Sequence, residues 1–130
     1  MILFADTSSD DTKIALIDMK TKSFADEMIF PGKGVQSEVL LRKIDDLLVS
    51  NEITKKSLEA IIAVTGPGSY TGLRIGLSTF NTMAFALDIP IIGIAQGKNP
   101  IDYIKDELLD NHGFFLLPDY LYPPKITKPH

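Results

Sequence analysis

The sequence contains no cysteine and no tryptophan, and only two histidines, His112 and His130. Without cysteine there is no disulfide, no thiolate nucleophile and no Cys-ligated zinc. The histidines stand 18 positions apart, so the i, i+4 His pair of a helical metal site is excluded and no metal centre is expected. Positive charge is scarce: 13 Lys and Arg stand against 17 Asp and Glu, a net charge of −4. That excludes an independent grip on a phosphate backbone, which takes clustered cations. RNA is then reached only through a partner that supplies the charge. No apolar run approaches the ~18–20 residues of a membrane span. Met1-Ile-Leu-Phe-Ala-Asp6 meets an acid at once and lacks the basic start of a signal peptide. A cytoplasmic protein without membrane contact is expected.

What is present is an ordinary globular balance, 45% hydrophobic and 23% charged over 130 residues, which suits one domain. Ile2 to Ala5 is a short apolar run of strand type. Lys13 to Asp18 and Ser23 to Phe30 follow with tight connections and read as an antiparallel meander. Leu40, Leu41, Ile44, Leu47 and Leu48 recur at helical spacing after Ser37-Glu38, with Ser37 placed to cap the helix and Asn51-Glu52 closing it. Glu59 to Thr65 is another strand, Gly72 to Leu87 a second helix, and Ile91 to Ile94 a further strand. Asn99-Pro100 starts a third helix over Ile101 to Leu109, with Pro at its first position. A meander followed by crossover units predicts an α/β fold. It is one mixed sheet with flanking helices in the ribonuclease-H-like arrangement, which is half of an actin-like ATPase.

Two segments are candidates for chemistry. Thr65-Gly-Pro-Gly-Ser-Tyr-Thr-Gly-Leu-Arg-Ile-Gly76 joins a strand to a helix. Gly66, Gly68 and Gly72 permit a tight turn, and backbone amides at the helix start, with Ser69, Thr71 and Arg74, would attract an anion. No Walker lysine follows, and the glycine spacing misses the dinucleotide fingerprint. A purely structural turn, with glycines that allow close packing, fits the same residues. Asp6-Thr7-Ser8, at the end of the first strand, is either a loop for hydrated Mg²⁺ and phosphate or an Asx turn closing a hairpin. The inferred topology brings both loops to one edge of the sheet.

The second helix carries one charge, Arg74, in its sixteen residues from Gly72 to Leu87. Leu73, Leu77, Phe80, Ala84 and Leu87 form one apolar stripe. Gly72, Gly76, Thr79, Met83 and Ala86 form a second, of small residues with one adaptable Met. Either a partner protein or the rest of this chain covers that second stripe.

The segment from Gly66 to Gly76 resembles the signature of the bacterial tRNA threonylcarbamoyladenosine biosynthesis protein family TsaB, with Tyr70 standing where phenylalanine is usual. Ile2 to Ser8, Ser37 to Leu41, Ile89 to Ile94 and Pro118 to Leu121 are similar to further family segments. The resemblance implies a non-catalytic scaffold of the N6-threonylcarbamoyladenosine modification of tRNA. It implies that the chain binds and activates the transferase TsaD, with TsaE as a third component and a homodimer when TsaD is absent. It places the partner interface on a helical bundle of Leu40, Leu41, Ile44, Leu73, Gly76, Thr79, Phe80 and Met83. Gly66, Gly68, Ser69, Tyr70, Thr71, Gly72 and Arg74 would then face the partner or a shared nucleotide. Asp6, Thr7 and Ser8 would be a vestigial phosphate loop. No cofactor is expected on this chain alone, with ATP or ADP and Mg²⁺ at the shared interface. Family members usually carry a second subdomain, so a short form is expected: 1–96 as the ribonuclease-H-like domain, 97–112 as a replacing helix and 113–130 as an extended Pro-rich arm. The alternative is a small nucleotide-binding protein or ATPase using the Asp6 and Ser69 loops.

Overall fold

A computed structural model describes residues 1–32, 36–68, 70–105 and 116–117. Five strands form one sheet: β1 (Ile2–Asp6), β2 (Asp11–Asp18), β3 (Ser23–Pro31), β4 (Ala60–Gly66) and β5 (Ile91–Ala95). Helix α1 (Ser37–Ser50) lies between β3 and β4, and α2 (Tyr70–Leu87) between β4 and β5. The strand order is β3-β2-β1-β4-β5. Antiparallel pairing sets Leu3 opposite Leu16 and Ile14 opposite Met28. Parallel pairing sets Leu3 beside Ile61 and Ala63 beside Gly93. This is the mixed ribonuclease-H-like sheet that the order of elements predicts.

The central strands read as unbroken apolar runs because both of their faces are covered. Leu3, Ala5, Ile14, Leu16, Ile61 and Ala63 point to the side carrying α1 and α2, where they meet Leu40, Ile44, Leu47, Leu77 and Phe80. Ile2, Phe4, Ala15, Ile17, Ile62 and Val64 point to the other side, with Ile94 and Ile104. Strand β3 is an edge strand and mostly exposed. Its register slips so that Ala25 has no partner opposite β2. Lys13 and Glu27 pair across it at 3.2 Å, and Phe24 sets its ring edgewise to Phe4. Among the described residues no helix is long and apolar enough to cross a membrane.

Two expectations change. Ser37 does not cap α1: Gln36 takes the cap position in extended backbone without a side-chain bond. Ser37 sits inside the first turn, where its hydroxyl accepts from Thr79 of α2 at 3.2 Å. The third helix is, in its described part, a single 3-10 turn, Pro100–Tyr103. Asn99 caps it by accepting from the Ile101 amide. It stops there because Ile104 turns extended and its side chain, 8% exposed, is drawn into the second core layer. The remainder of that expected helix, 106–109, lies outside the described residues, as does the expected arm except Leu116 and Leu117.

Both α-helices end on an acid in left-handed backbone rather than on glycine. Glu52 has φ 57°, its amide donates to Val49 O at 3.0 Å, and the Ile53 amide reaches Leu48 O at 3.1 Å. Asp88 has φ 53°, with the Asp88 amide on Phe85 O and the Ile89 amide on Ala84 O. These paired bonds are Schellman closures, a geometry that glycine adopts without strain. Asn51 fastens the end of α1 further, donating to Leu47 O and to the Asp26 carboxylate of β3, both at 2.8 Å. Glu52 also adds negative charge at the negative end of the helix dipole. Glu52→Gly should therefore raise the unfolding free energy by about 0.5–1 kcal/mol. The check is a higher urea midpoint at unchanged slope, and an unchanged or lowered midpoint would contradict the strain at this residue.

Candidate functional site

The carboxyl ends of the parallel strands β1 and β4, and of β5, come together at one edge of the sheet, where open α/β folds hold their ligands. Strand β1 runs into Asp6-Thr7-Ser8. One carboxylate oxygen of Asp6 accepts from the Ser8 amide at 2.9 Å and from the Ser8 hydroxyl. That is the Asx turn. Thr7 and Ser8 are 6% and 4% exposed, so their side chains are engaged by the domain itself. Strand β4 ends at Gly66, which has φ 128° and a cis bond to Pro67. The Gln96 amide after β5 donates to Gly66 O at 2.8 Å, and the Gln96 side chain reaches the Ser9 hydroxyl at 2.9 Å. The three strand ends are thus laced together.

The signature glycines explain how close that lacing is. A Cβ on Gly68 would lie 2.6 Å from the Ser8 Cβ. A Cβ on Gly76, one turn into α2, would lie 2.6 Å from the Thr7 methyl and inside contact distance of its hydroxyl. The β1 turn fits against the head of α2 only because both positions lack a side chain. Sequence reasoning brings the Asp6 loop and the glycine-rich loop to the same edge, and the structure sets Ser8 against Gly68 and Thr7 against Gly76. Arg74 and Thr71 are exposed on α2 and Gly72 is half-buried. Ser69 and the side chain of Tyr70 lie outside the described residues. Among the described residues no three His, Asp or Glu side chains gather to hold a metal.

The residues expected at a partner interface are core residues of this chain. Leu40, Ile44, Leu73 and Phe80 are at most 1% exposed, and Thr79 and Met83 are 6% and 7% exposed. Gly76 is buried and Leu41 half-buried. The reason is that α2 turns most of both apolar stripes inward, with Gly72 and Leu87 half-buried and Ala86 exposed. Leu77, Phe80 and Ala84 belong to the core on the helix side of the sheet, and Leu73 is fully buried. On the second stripe Gly76 receives Thr7, Thr79 bonds Ser37 at the start of α1, and Met83 joins the same core. What α2 shows to solvent is a third stripe of Thr71, Arg74, Ser78, Thr82 and Phe85, with Phe85 74% exposed. Thr71 and Arg74 are among the residues that the resemblance sets towards a partner, whereas Ser78, Thr82 and Phe85 are not. The signal of the stripe is the run of hydroxyls at 71, 78 and 82 in a helix with one charge. On α1 the outward residues are charged, Glu38, Arg42 and Asp46, with Val49 73% exposed near the end.

Residues 35–99 match the model of the family described as TsaD, tRNA N6-adenosine threonylcarbamoyltransferase. The tRNA threonylcarbamoyladenosine biosynthesis protein TsaB of Bacillus subtilis is 35% identical over 95 residues, covering 73% of this chain and 41% of that protein. A tRNA N6-adenosine threonylcarbamoyltransferase of Staphylococcus epidermidis is 29% identical over 126 residues, covering 86% of this chain and 35% of that protein. The solved structure of YeaZ from Pseudomonas aeruginosa superposes with a TM-score of 0.65 at 26% identity, over 72% of this chain and 43% of that one. The chain spans about two-fifths of the length of the TsaB relatives it matches.

The contact between Thr7 and Gly76 can be tested directly. Gly76→Ala should destabilise the domain by about 1–3 kcal/mol through overpacking against a stiff β-branched side chain. Removing the obstructing atoms with Thr7→Ala in the same chain should recover part of that loss, giving a coupling of at least about 0.5 kcal/mol in a double-mutant cycle. Additive losses would mean that the two positions do not touch.

Proposed function

We infer that this chain, which belongs to the TsaB/TsaD family of tRNA threonylcarbamoyladenosine biosynthesis proteins and is TsaB-like, serves that modification as a non-catalytic partner of the threonylcarbamoyltransferase. The observation that carries the reading is the outer stripe of α2. A helix facing water normally carries charge on its outer face. Here Ser78, Thr82, Phe85 and Ala86 are exposed and Ile75 half-buried, with Arg74 the one charge in 18 residues. Charge depletion with an exposed aromatic ring is the composition of an interface core rather than of a solvated surface. The docking surface moves accordingly, from the buried stripes to this outer one.

The chain's own chemistry supports a binding role. It has no His-X-X-X-His pair, since His112 and His130 are its only histidines. The Ser8 hydroxyl is spent on Asp6, and Thr7 is buried. The alternative of a small nucleotide-binding protein uses the Asp6 and Ser69 loops; Thr7 is buried in the first of them, and Ser69 lies outside the described residues. In the scaffold reading a nucleotide with Mg²⁺ belongs to the joint between the two proteins. The ATPase TsaE is then a third component, tRNA is reached through the transferase, and a second copy occupies the outer stripe when the transferase is absent.

Light scattering of the chain alone, and mixed with the transferase of the same organism, tests the reading. A dimer that converts to a mixed complex is the expected result. Ser78→Arg with Thr82→Glu should abolish the mixed complex while leaving unfolding within about 0.5 kcal/mol of the parent, as surface changes do. A chain that ignores the transferase, or a double variant that still pairs, overturns it.

A further inference from the structure

Asn81 faces the flank of α2 that overlooks the edge strand β5. An asparagine inside a helix is unfavourable unless its side chain has work elsewhere. Here its amide oxygen accepts from the Leu116 backbone N–H at 2.8 Å, and its amide nitrogen donates to the Leu116 carbonyl at 2.9 Å. One side chain thus satisfies both backbone groups of one residue, 35 positions away in sequence. This two-point contact holds the backbone of one residue without regard to its side chain.

Specificity for the side chain comes from the strand. Gly93 of β5 pairs with Ala63, whose side chain belongs to the helix-side core. A Cβ on Gly93 would lie 3.0 Å from a Leu116 methyl and 2.8 Å from the Thr65 methyl. Leu116 packs against the helix-side core through this gap, while Leu117 is 81% exposed. The slot therefore takes one leucine inward and leaves its neighbour outside.

We propose that the slot between α2 and β5, formed by Asn81, Gly93 and Thr65, is a recognition site for a leucine-bearing backbone segment, filled in this chain by its own Leu116. The proposal does not depend on the transferase reading, because Asn81, Gly93 and Thr65 are not residues of the outer stripe of α2.

Amide hydrogen exchange on the full chain tests it. Asn81→Ala should speed exchange at the Leu116 amide by roughly tenfold or more, the loss of its acceptor and of the paired bond, with amides of β1 and β4 unchanged. Leu116→Asp should empty the slot while the sheet stays protected. The blocked peptide Phe-Phe-Leu-Leu-Pro, the sequence of 114–118, should then bind Leu116→Asp saturably and fail to bind the Asn81→Ala, Leu116→Asp double variant. If Asn81→Ala unfolds the sheet, the peptide measurement on Leu116→Asp decides. Unchanged exchange at Leu116 in a folded Asn81→Ala chain, or no peptide binding by folded Leu116→Asp, overturns the proposal. Protection at Leu116 that disappears on dilution would place the segment in a second copy and overturn the closure within one chain.

Discussion

The head of this domain depends on the approach of the β1 turn to α2. Thr7 and Ser8 are buried against Gly68 and Gly76 at distances that leave no space for a Cβ. Packed interiors do not absorb such an intrusion by small continuous adjustments. The Asx turn at Asp6 shapes the loop, and Gly66 with its positive φ turns the chain from β4 towards the helix. The Gln96 bonds to Gly66 and Ser9 then tie in the end of β5. An uncommon glycine-rich segment and a plain Asp-Thr-Ser are the two halves of one joint.

That joint decides which face of α2 remains available. Pulled down onto Thr7, the helix turns Gly76 and Thr79 inward beside the stripe that covers the sheet. Two of its three faces are consumed, and the outward one is left with hydroxyls, Phe85 and a single arginine. The flank towards β5 is closed differently, by the Asn81 amide and the Leu116 side chain over Gly93. One helix therefore carries a core face, a joint, an exposed face with a single charge and a clamp. Such density of roles accounts for its lack of charge better than burial alone would.

Much of the fold was legible along the chain. Ile2 to Ala5 and Ala60 to Val64 read as strands buried on both faces, and they occupy the centre of the sheet. The Leu40, Ile44, Leu47, Leu48 spacing gave α1 its buried side. Within the described residues the helix starting at Asn99 breaks at Ile104, which turns extended and lies in the second core layer. The cap at Ser37 failed because its hydroxyl meets Thr79, 42 positions away. Periodicity reports which residues avoid water. It does not report whether the neighbour that excludes water belongs to the same chain, and so Leu73, Phe80 and Met83 looked like an interface and proved to be core.

The sequence by itself determined the order and period of the elements, the absence of thiol chemistry and of a His pair, and the signature between β4 and α2. Each is a property of residue types and of their spacing along one chain. Only the tertiary structure decided that Gly68 and Gly76 serve the Thr7 turn, that the exposed stripe of α2 is the third one, and that Asn81 holds Leu116. These are contacts between residues tens of positions apart. Their existence depends on ångström-scale clearances between packed elements, and no local pattern encodes those clearances.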